Sequence, residues 1–236
     1  MKKLISFIAL VFLLSINIGL YSQNPPKAKV VIINMTDSAA THVYGDRFNA
    51  KIQTLDIFDY GKYSVDNLTA AFNKSNLEVI EVEAPLYFRT AALINFVGSP
   101  TQKTKMWLSD LQSKYDADYL ILINRKFIPE ENMSERFLEK QQYGVATYQY
   151  APDVLSIFSF VGYSIFSVKD MKAIKMNINH EKYVLTDIPI DRSLDMDELR
   201  VVPEEYLKMA TEQLKYIADT RNMEVERLVM EYLDNH

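Results

Sequence analysis

The chain has 236 residues, 48% of them hydrophobic, and its 26 basic and 31 acidic side chains leave a formal net charge of −5. This composition is typical of a globular protein that is long enough to bury a sizeable core. The basic residues gather into no stripe, so we expect no nucleic-acid binding. The sequence contains no Cys, which excludes disulfides, thiolate zinc sites and a cysteine nucleophile.

The N-terminus has the pattern of a secretory signal peptide. Two lysines precede the apolar run Leu4 to Leu20, and Ser22 supplies a small residue at a cleavage point. We therefore predict export, with residues 1–22 removed and residues 23–236 forming a single domain in the periplasm or at the cell surface. The alternative is an uncleaved anchor, because the apolar run approaches the roughly 20 residues that span a bilayer. We expect no transmembrane segment in the mature chain.

The first half of the mature chain predicts strands that alternate with helices. Lys27 to Thr36 is a β-branched run typical of a strand buried on both faces. Ser64 to Asn76 opens on a Ser cap and has one apolar face, which predicts a helix. Leu77 to Ala84 alternates apolar and acidic residues, as a strand with one exposed face does.

A second helix and a third strand follow. The helix is predicted over about 100–115 and the strand over Asp118 to Phe127. The inward residues of this helix are expected to be Met106, Trp107, Leu108 and Leu111. The resulting β-α-β-α-β order favours a mainly parallel sheet covered by helices.

The segment from Asp37 to Gly61 predicts a long loop with room for a short hairpin, because it has no helical period and is rich in Asp, Thr and Asn. In open α/β sheets, ligands bind at the carboxyl ends of the strands. This loop is therefore a candidate ligand site, formed by His42, Tyr44, Gly45, Phe48 and Asn49. The preferred alternative is structural, with His42 and Tyr44 holding the loop against the domain.

Beyond Pro129 the pattern changes to strand-like runs joined by short turns. The most apolar run, Val154 to Val168, predicts a central strand, and Lys169 to Lys172 predicts a hairpin turn. We expect these antiparallel strands to extend the same sheet. The alternative for the apolar run is a membrane-inserting hairpin, but the next run, Ala173 to Leu185, carries several charges and makes a poor lipid-facing partner. The aromatic residues expected to be buried are Phe158, Phe160 and Phe166.

The C-terminal segment from Pro203 to Leu233 predicts a long helix, with Glu204 and Glu205 near its positive dipole end. Its sheet-facing stripe is expected to comprise Leu207, Ala210, Leu214, Ile217 and Ala218. The predicted fold is therefore α/β. It has a mixed sheet from the β-α-β-α-β core plus antiparallel hairpin strands, and it is covered by helices that include this long C-terminal one.

Several short motifs follow one another along the mature chain: His42-x-Tyr44-Gly45, Phe48-Asn49, Ala117-Asp118-Tyr119, Tyr143-Gly144 and the VKDMKAIK segment from Val168 to Lys175. In this arrangement the chain resembles a group of uncharacterised secreted bacterial envelope proteins. Their α/β domain is similar to those of the curli-secretion pore lipoprotein and the TolB N-terminal domain. The resemblance implies a fold and a compartment, and it carries over no catalytic residue. The chain departs from the pore lipoproteins in lacking their lipidated Cys.

The sharpest catalytic pattern is Thr36-Asp37-Ser38, directly after the first predicted strand. Esterases of the SGNH type place a nucleophilic Ser there in a Gly-Asp-Ser context and need an Asp-x-x-His near the C-terminus. Here Thr36 replaces the Gly, and His236 has the wrong spacing. A Ser without a base is not a nucleophile, so an Asp-Ser turn with local backbone hydrogen bonds is preferred.

Other candidate chemistry is weaker still. His42, His180 and His236 have no metal-ligand spacing. The carboxylates before the last helix have the pattern of a solvated helix start rather than of a paired glycosidase site; they are Asp195, Asp197, Glu198, Glu204 and Glu205. We therefore predict no catalytic, cofactor-binding or metal residue, and no cofactor.

These patterns together favour a non-enzymatic binding or assembly role in the cell envelope, with another envelope protein as the partner. One alternative is a diverged Ser hydrolase around Ser38. The other is a periplasmic small-molecule-binding protein that uses the segment Asp37 to Gly61 as its lid. The sequence leaves the oligomeric state open.

Overall fold

The computed structural model describes residues 27–46, 49–84, 100–125, 141–148, 151–178, 184–190 and 201–235. In these residues ten strands form two five-stranded sheets, accompanied by three helices. The elements in chain order are β1 (Lys29–Asn34), β2 (Ala40–Gly45), β3 (Lys51–Leu55), α1 (Tyr60–Lys74), β4 (Glu78–Glu81), α2 (Gln102–Tyr115), β5 (Tyr119–Arg125), β6 (Tyr143–Tyr148), β7 (Ala151–Ser159), β8 (Val161–Ser167), β9 (Lys172–Ile178), β10 (Val184–Pro189) and α3 (Glu204–Asp234). The predicted α/β fold class is confirmed.

The first sheet has the strand order β4-β1-β5-β8-β9. Both β4 and β5 run parallel to β1, which confirms the predicted parallel core. The β-branched residues of β1 are buried on both faces, since a central strand with helices above and below has no solvent side. β8 and β9 complete this sheet as an antiparallel hairpin, with the turn where it was predicted.

The junction between α2 and β5 shows how the sequence Asp-Ala-Asp ends a helix. Asp116 has φ 54°, in the left-handed region, and its amide donates to the carbonyl of Gln112, which stops the helix. Two residues on, the carboxylate of Asp118 accepts the backbone N–H of Lys29 at 2.9 Å. Ala117 between them is 3% exposed. The junction therefore aligns the start of β5 with the start of β1.

The second sheet has the order β10-β7-β6-β2-β3. The segment predicted as a long loop supplies β2 and β3, which pair as a hairpin. β2 also runs parallel to β6. Gly144 has φ +152°, and a Cβ atom there would meet the carbonyl oxygen of Thr41 at 1.8 Å. Only glycine fits this pairing.

The apolar run Val154 to Val168 joins the two sheets. It was predicted as one central strand, and it forms two: β7 lies between β10 and β6, and β8 lies between β5 and β9. The crossing falls at Phe160, the single residue between β7 and β8. Phe158, Phe160 and Phe166 are at most 1% exposed, so their predicted burial is confirmed. The predicted mixed sheet with an antiparallel hairpin is present as β4-β1-β5-β8-β9, but the prediction that all the later strands extend this sheet is wrong, since β6, β7 and β10 belong to the second one. The strand period is the same on both sides of Phe160 and does not mark a change of sheet.

The helices cover the sheets from two sides. The largest apolar cluster combines α1 and α3 with residues of both sheets, while a second cluster packs α2 against the other face of the first sheet. In α2, Trp107, Leu108 and Leu111 are buried as predicted, whereas Met106 is 62% exposed and its prediction is wrong. Met106 lies beside Trp107 around the helix axis, on the side that faces solvent rather than the first sheet.

The starts of α1 and α3 differ in how well they were predicted. α1 begins at Tyr60, four residues before the predicted Ser64, because the carboxylate of Asp59 accepts the backbone N–H of Lys62 at 2.8 Å. α3 begins after Pro203 as predicted. Its inward stripe is confirmed, with Ala210, Leu214, Ile217 and Ala218 buried and Leu207 partly buried. None of the helices described here has an apolar stretch of membrane-spanning length.

Candidate functional site

His42, the most site-like residue in the sequence, lies in the middle of β2 and is fully buried. The side-chain amide of Gln53 donates to its Nδ1, and its Nε2 lies 2.8 Å from the hydroxyl of Thr147. An amide nitrogen only donates, so Nδ1 accepts and the ring proton is on Nε2. Burial lowers the pKa of His42 to about 4. The ring is therefore neutral at pH 7 and links β2 to β3 and β6.

The other residues of the predicted ligand loop lie around the β2–β3 hairpin. Tyr44 and Gly45 belong to β2, and the ring of Tyr44 is 5.1 Å from that of His42. The backbone N–H of Asn49 donates to the carboxylate of Asp46 at 2.7 Å. Phe48 lies outside the described residues. The structure thus brings His42 and Tyr44 together in a strand of the second sheet rather than in a loop after β1, and ligand binding there stays a prediction.

Ser38 is exposed between β1 and β2. Its neighbour Asp37 is held through its backbone, because its N–H donates to Gln142 at 2.7 Å and its carbonyl accepts the hydroxyl of Tyr143 at 2.9 Å. Both ring nitrogens of His42 are already hydrogen-bonded. Within the described ranges, no imidazole is therefore available to activate Ser38, and His180 and His236 lie outside those ranges.

A buried guanidinium occupies the interior between α3 and the sheets. Arg221 is 4% exposed, and its Nη1 donates to the hydroxyl of Tyr60 at 3.0 Å and to that of Ser159 at 2.8 Å. Its Nη2 also donates to the carbonyl of Ser159 at 3.3 Å. Ser159 is the last residue of β7, so Arg221 fixes α3 to the point where the chain crosses between the sheets.

Two buried tyrosines extend this polar network. Tyr163 of β8 donates its hydroxyl to that of Ser64 in α1 at 2.8 Å. Burial raises the pKa of Tyr60, although the neighbouring Arg221 opposes that shift, and burial raises the pKa of Tyr163 well above its usual value. Both phenols therefore remain protonated at pH 7. The network is built from neutral hydroxyls around one cation, which suits it to positioning elements rather than to proton transfer.

Sequence reasoning missed this network, although one signal for it was present. Arg221 occupies the same helical column as the apolar residues Leu207, Leu214 and Leu228, each seven residues apart. A cation in an apolar column indicates a buried polar partner. The adjacent Asn222 is 6% exposed, and in the described part of the chain its side-chain amide has no hydrogen-bond partner.

The solvent side of α3 carries an apolar feature that we call the α3 stripe: Met209, Tyr216 and Met223. These side chains are 48%, 66% and 62% exposed. Their seven-residue spacing places them two turns apart on one face of the helix. Only six large hydrophobic side chains are strongly exposed in the described residues, and these three form half of them. The stripe is therefore a concentration of exposed apolar surface, the type of feature that marks interaction sites.

An acidic column borders the α3 stripe. It comprises Glu205, Glu212, Asp219 and Glu226. The first three precede a stripe residue by four positions, so they lie beside the stripe on the helix surface. Asp219 accepts hydrogen bonds from Tyr63 at 3.2 Å and from Asn67 at 3.0 Å, both in α1. The column thus lies on the side of the stripe that faces α1.

In the parts of the chain that the structure describes, no group of three or more His, Asp or Glu side chains could hold a metal ion. Of the carboxylates singled out before the last helix, Glu204 and Glu205 are exposed in the first turn of α3. Asp195, Asp197 and Glu198 lie outside the described residues.

Comparison with protein-family models, with curated proteins and with solved structures finds no match to this chain.

Proposed function

We propose that this chain is an exported, non-enzymatic protein of the cell envelope that binds another protein through the α3 stripe. The observation that carries the proposal is the exposure of Met209, Tyr216 and Met223 at seven-residue spacing on one helix face. Met and Tyr are enriched in the centres of protein–protein interfaces, and an apolar residue every two turns is the pattern by which helices recognise each other. The proposed compartment is supported by the basic and apolar N-terminal sequence.

The placement of the reactive side chains supports a binding role over catalysis. His42 is neutral, buried and hydrogen-bonded at both nitrogens. Arg221 is enclosed by hydroxyl and carbonyl groups, and Ser38 stands on the surface without an imidazole partner in the described residues. A Ser nucleophile needs a base within hydrogen-bond reach, and in the described part of the chain Ser38 has no imidazole to serve as one.

The stripe can contribute a useful share of a binding energy. Burying a Met or Tyr side chain completely contributes about 1.5–3 kcal/mol relative to full exposure. The stripe residues are already one-third to one-half buried. Covering their remaining exposed surface would therefore contribute about 1 kcal/mol of binding free energy per residue. Three such residues in a row, joined by polar contacts at the rim, suit a reversible interface of modest affinity.

The absence of Cys from the chain permits a direct test of the stripe. A Tyr216→Cys variant, labelled with a maleimide photocrosslinker and exposed to native envelope fractions, should give a discrete crosslinked product. Gln112→Cys, exposed on α2, is the matched control and should give none. Adding Met209→Glu to the Tyr216→Cys chain should remove the product. Equal products from both cysteines, or a product that persists with Met209→Glu, would refute the binding role.

Export is tested separately by intact mass measurement of the protein from its native host. We expect the mass of a chain that starts at Gln23. Full-length chain recovered from the cytoplasm would contradict the proposed location, and it would leave the crosslinking result to decide binding.

A further inference from the structure

We infer that the partner of the α3 stripe presents a basic amphipathic helix, with one row of apolar residues for the stripe and one row of Lys or Arg for the acidic column. This inference rests on the function proposed above for the stripe. It adds the charge of the partner. This charge follows from the residues that flank Met209, Tyr216 and Met223, and not from the three apolar residues themselves.

The charges beside the stripe are unequal on its two sides. On the side facing α1, the acidic column places a carboxylate at every second turn. On the other side, the residues at the same spacing are Gln213, Thr220 and Arg227. The one cation among these, Arg227, is held by Glu224 at 2.7 Å and also pairs with Glu231 of α3. α3 as a whole carries eight carboxylates and four cations, Lys208 and Lys215 among them, so the charge along the stripe is negative overall.

The acidic column retains charge that its own helix does not neutralise. Glu212 pairs with Lys215 at 2.9 Å, and Asp219 takes hydrogen bonds from neutral groups of α1. In the described part of the chain, Glu205 and Glu226 form no ion pair. A partner with cations at matching spacing would complement these carboxylates and would reject acidic competitors.

A second copy of this chain is a poorer match for the same surface. In an antiparallel pairing centred on Tyr216, Met209 would face Met223 of the other copy, so the apolar residues fit. The acidic column would then face itself, with Glu212 opposite Asp219, and like charges across a helix pair are unfavourable. A parallel pairing would place Gln213, Thr220 and Arg227 opposite the column. It would therefore offer four carboxylates a single cation, and that cation is already paired with Glu224 and Glu231. The charge pattern therefore favours a different, basic partner.

The length of the stripe sets the size of the partner helix. Met209 and Met223 are 14 residues apart, which corresponds to about 21 Å along the helix axis. A partner helix therefore needs about four turns to cover the stripe. At this length, cations at seven-residue spacing would meet three or four members of the acidic column.

Two synthetic peptides test the inference. Each has 21 residues and the same apolar heptad face; one carries Lys and the other Glu at the flanking positions. Binding to the labelled protein is measured by fluorescence anisotropy at low and physiological salt. We expect the Lys peptide to bind at least tenfold more tightly than the Glu peptide, and its affinity to fall as salt rises.

Charge reversal identifies the residues responsible. The double variant Glu212→Lys/Glu226→Lys should weaken the Lys peptide at least tenfold and should bind the Glu peptide instead. The matched control, Glu78→Lys/Glu81→Lys, makes the same charge change on the exposed residues of β4 and should leave peptide binding unchanged. Circular dichroism of all variants confirms that the fold is retained.

The outcomes separate this inference from the function on which it rests. If both peptides bind equally and Tyr216→Glu abolishes both, the stripe binds proteins but the basic partner is refuted. Should Tyr216→Glu leave peptide binding unchanged, both ideas fail. A dimer in sedimentation velocity that disappears in Tyr216→Glu would assign the stripe to a second copy and would also overturn the basic partner.

Discussion

The centres of the two sheets are built on different interactions. β1 and β5, at the centre of the first sheet, bury Val, Ile and Leu on both faces. β2 and β6, near the centre of the second sheet, place polar groups inward as well: His42 and Thr147 bond to each other, and Tyr143 bonds to the carbonyl groups of Asp37 and Phe58. Apolar burial stabilises without fixing direction, whereas a buried hydrogen bond fixes geometry and is costly when broken. The first sheet is therefore the more tolerant of conservative change and the second is the more specific.

The largest effect should come from the element that both sheets share. Leu214 of α3 is fully buried in the cluster that contains residues of both sheets. Leu214→Asp should lower the free energy of unfolding by about 4 kcal/mol, because it buries an unpaired carboxylate. Urea unfolding followed by circular dichroism measures this. Tyr216→Asp, on the exposed face, is the control and should change stability by less than about 1 kcal/mol. If both variants lost a similar free energy of unfolding, the packing of α3 against the sheets through Leu214 would be contradicted.

Two isoleucines, one in each sheet, compare the stability cost of losing a side chain at the two positions. Ile32 is fully buried at the centre of the first sheet, and Ile52 is 50% exposed in β3 at the edge of the second. Ile32→Ala should cost about 2–5 kcal/mol, since it removes buried methyl groups and leaves a cavity. Ile52→Ala should cost less than about 1 kcal/mol. Chemical denaturation of the two variants under one set of conditions gives the difference, and equal costs would contradict the burial of β1.

The smallest effect is a pH dependence confined to the second sheet. The pKa of His42 is about 4 in the folded chain and about 6.5 when unfolded, so the fold favours the neutral ring. This stability is fully present above about pH 6.5 and is lost as the pH falls toward 4, by up to about 3 kcal/mol. Denaturation measured from pH 7.5 to pH 4 should show the loss. His42→Gln should remove this component, and the other groups that titrate in both proteins cancel in the difference. An identical pH profile for the two proteins would show that His42 is not held neutral.

The sequence predicted the first sheet far better than the second. Lys27 to Thr36 and Asp118 to Phe127 are continuous apolar runs, and such runs indicate buried parallel strands directly. The segment that contains β2 and β3 was predicted as a long loop with room for a short hairpin, because it has no helical period and is rich in Asp, Thr and Asn. The burial of His42 within it depends on Thr147, a partner distant in sequence. The periodicity of a single strand gives no information about such partners.

The candidate site was predictable only in part. The inward stripe of α3 follows from its apolar spacing, and the outward α3 stripe has the same seven-residue signal in Met209, Tyr216 and Met223. The sequence analysis assigned the sheet-facing side correctly but did not single out the outward residues, because isolated apolar side chains are common on protein surfaces. His42 was singled out for its position after β1, but its role depends on hydrogen bonds to Gln53 and Thr147 that only the folded sheet provides.

The hydrogen bond between His42 and Thr147 joins residues that are 105 positions apart in the chain. β2 therefore cannot complete its pairing until β6 has been synthesised, and β5 of the first sheet likewise waits for β8. Closing loops of this length costs entropy before any contact repays it, so folding rates fall as such pairings dominate. Neither sheet is complete in the N-terminal half of the protein. The nascent chain should therefore remain largely unfolded until its last third emerges, and both sheets should then form together with α3.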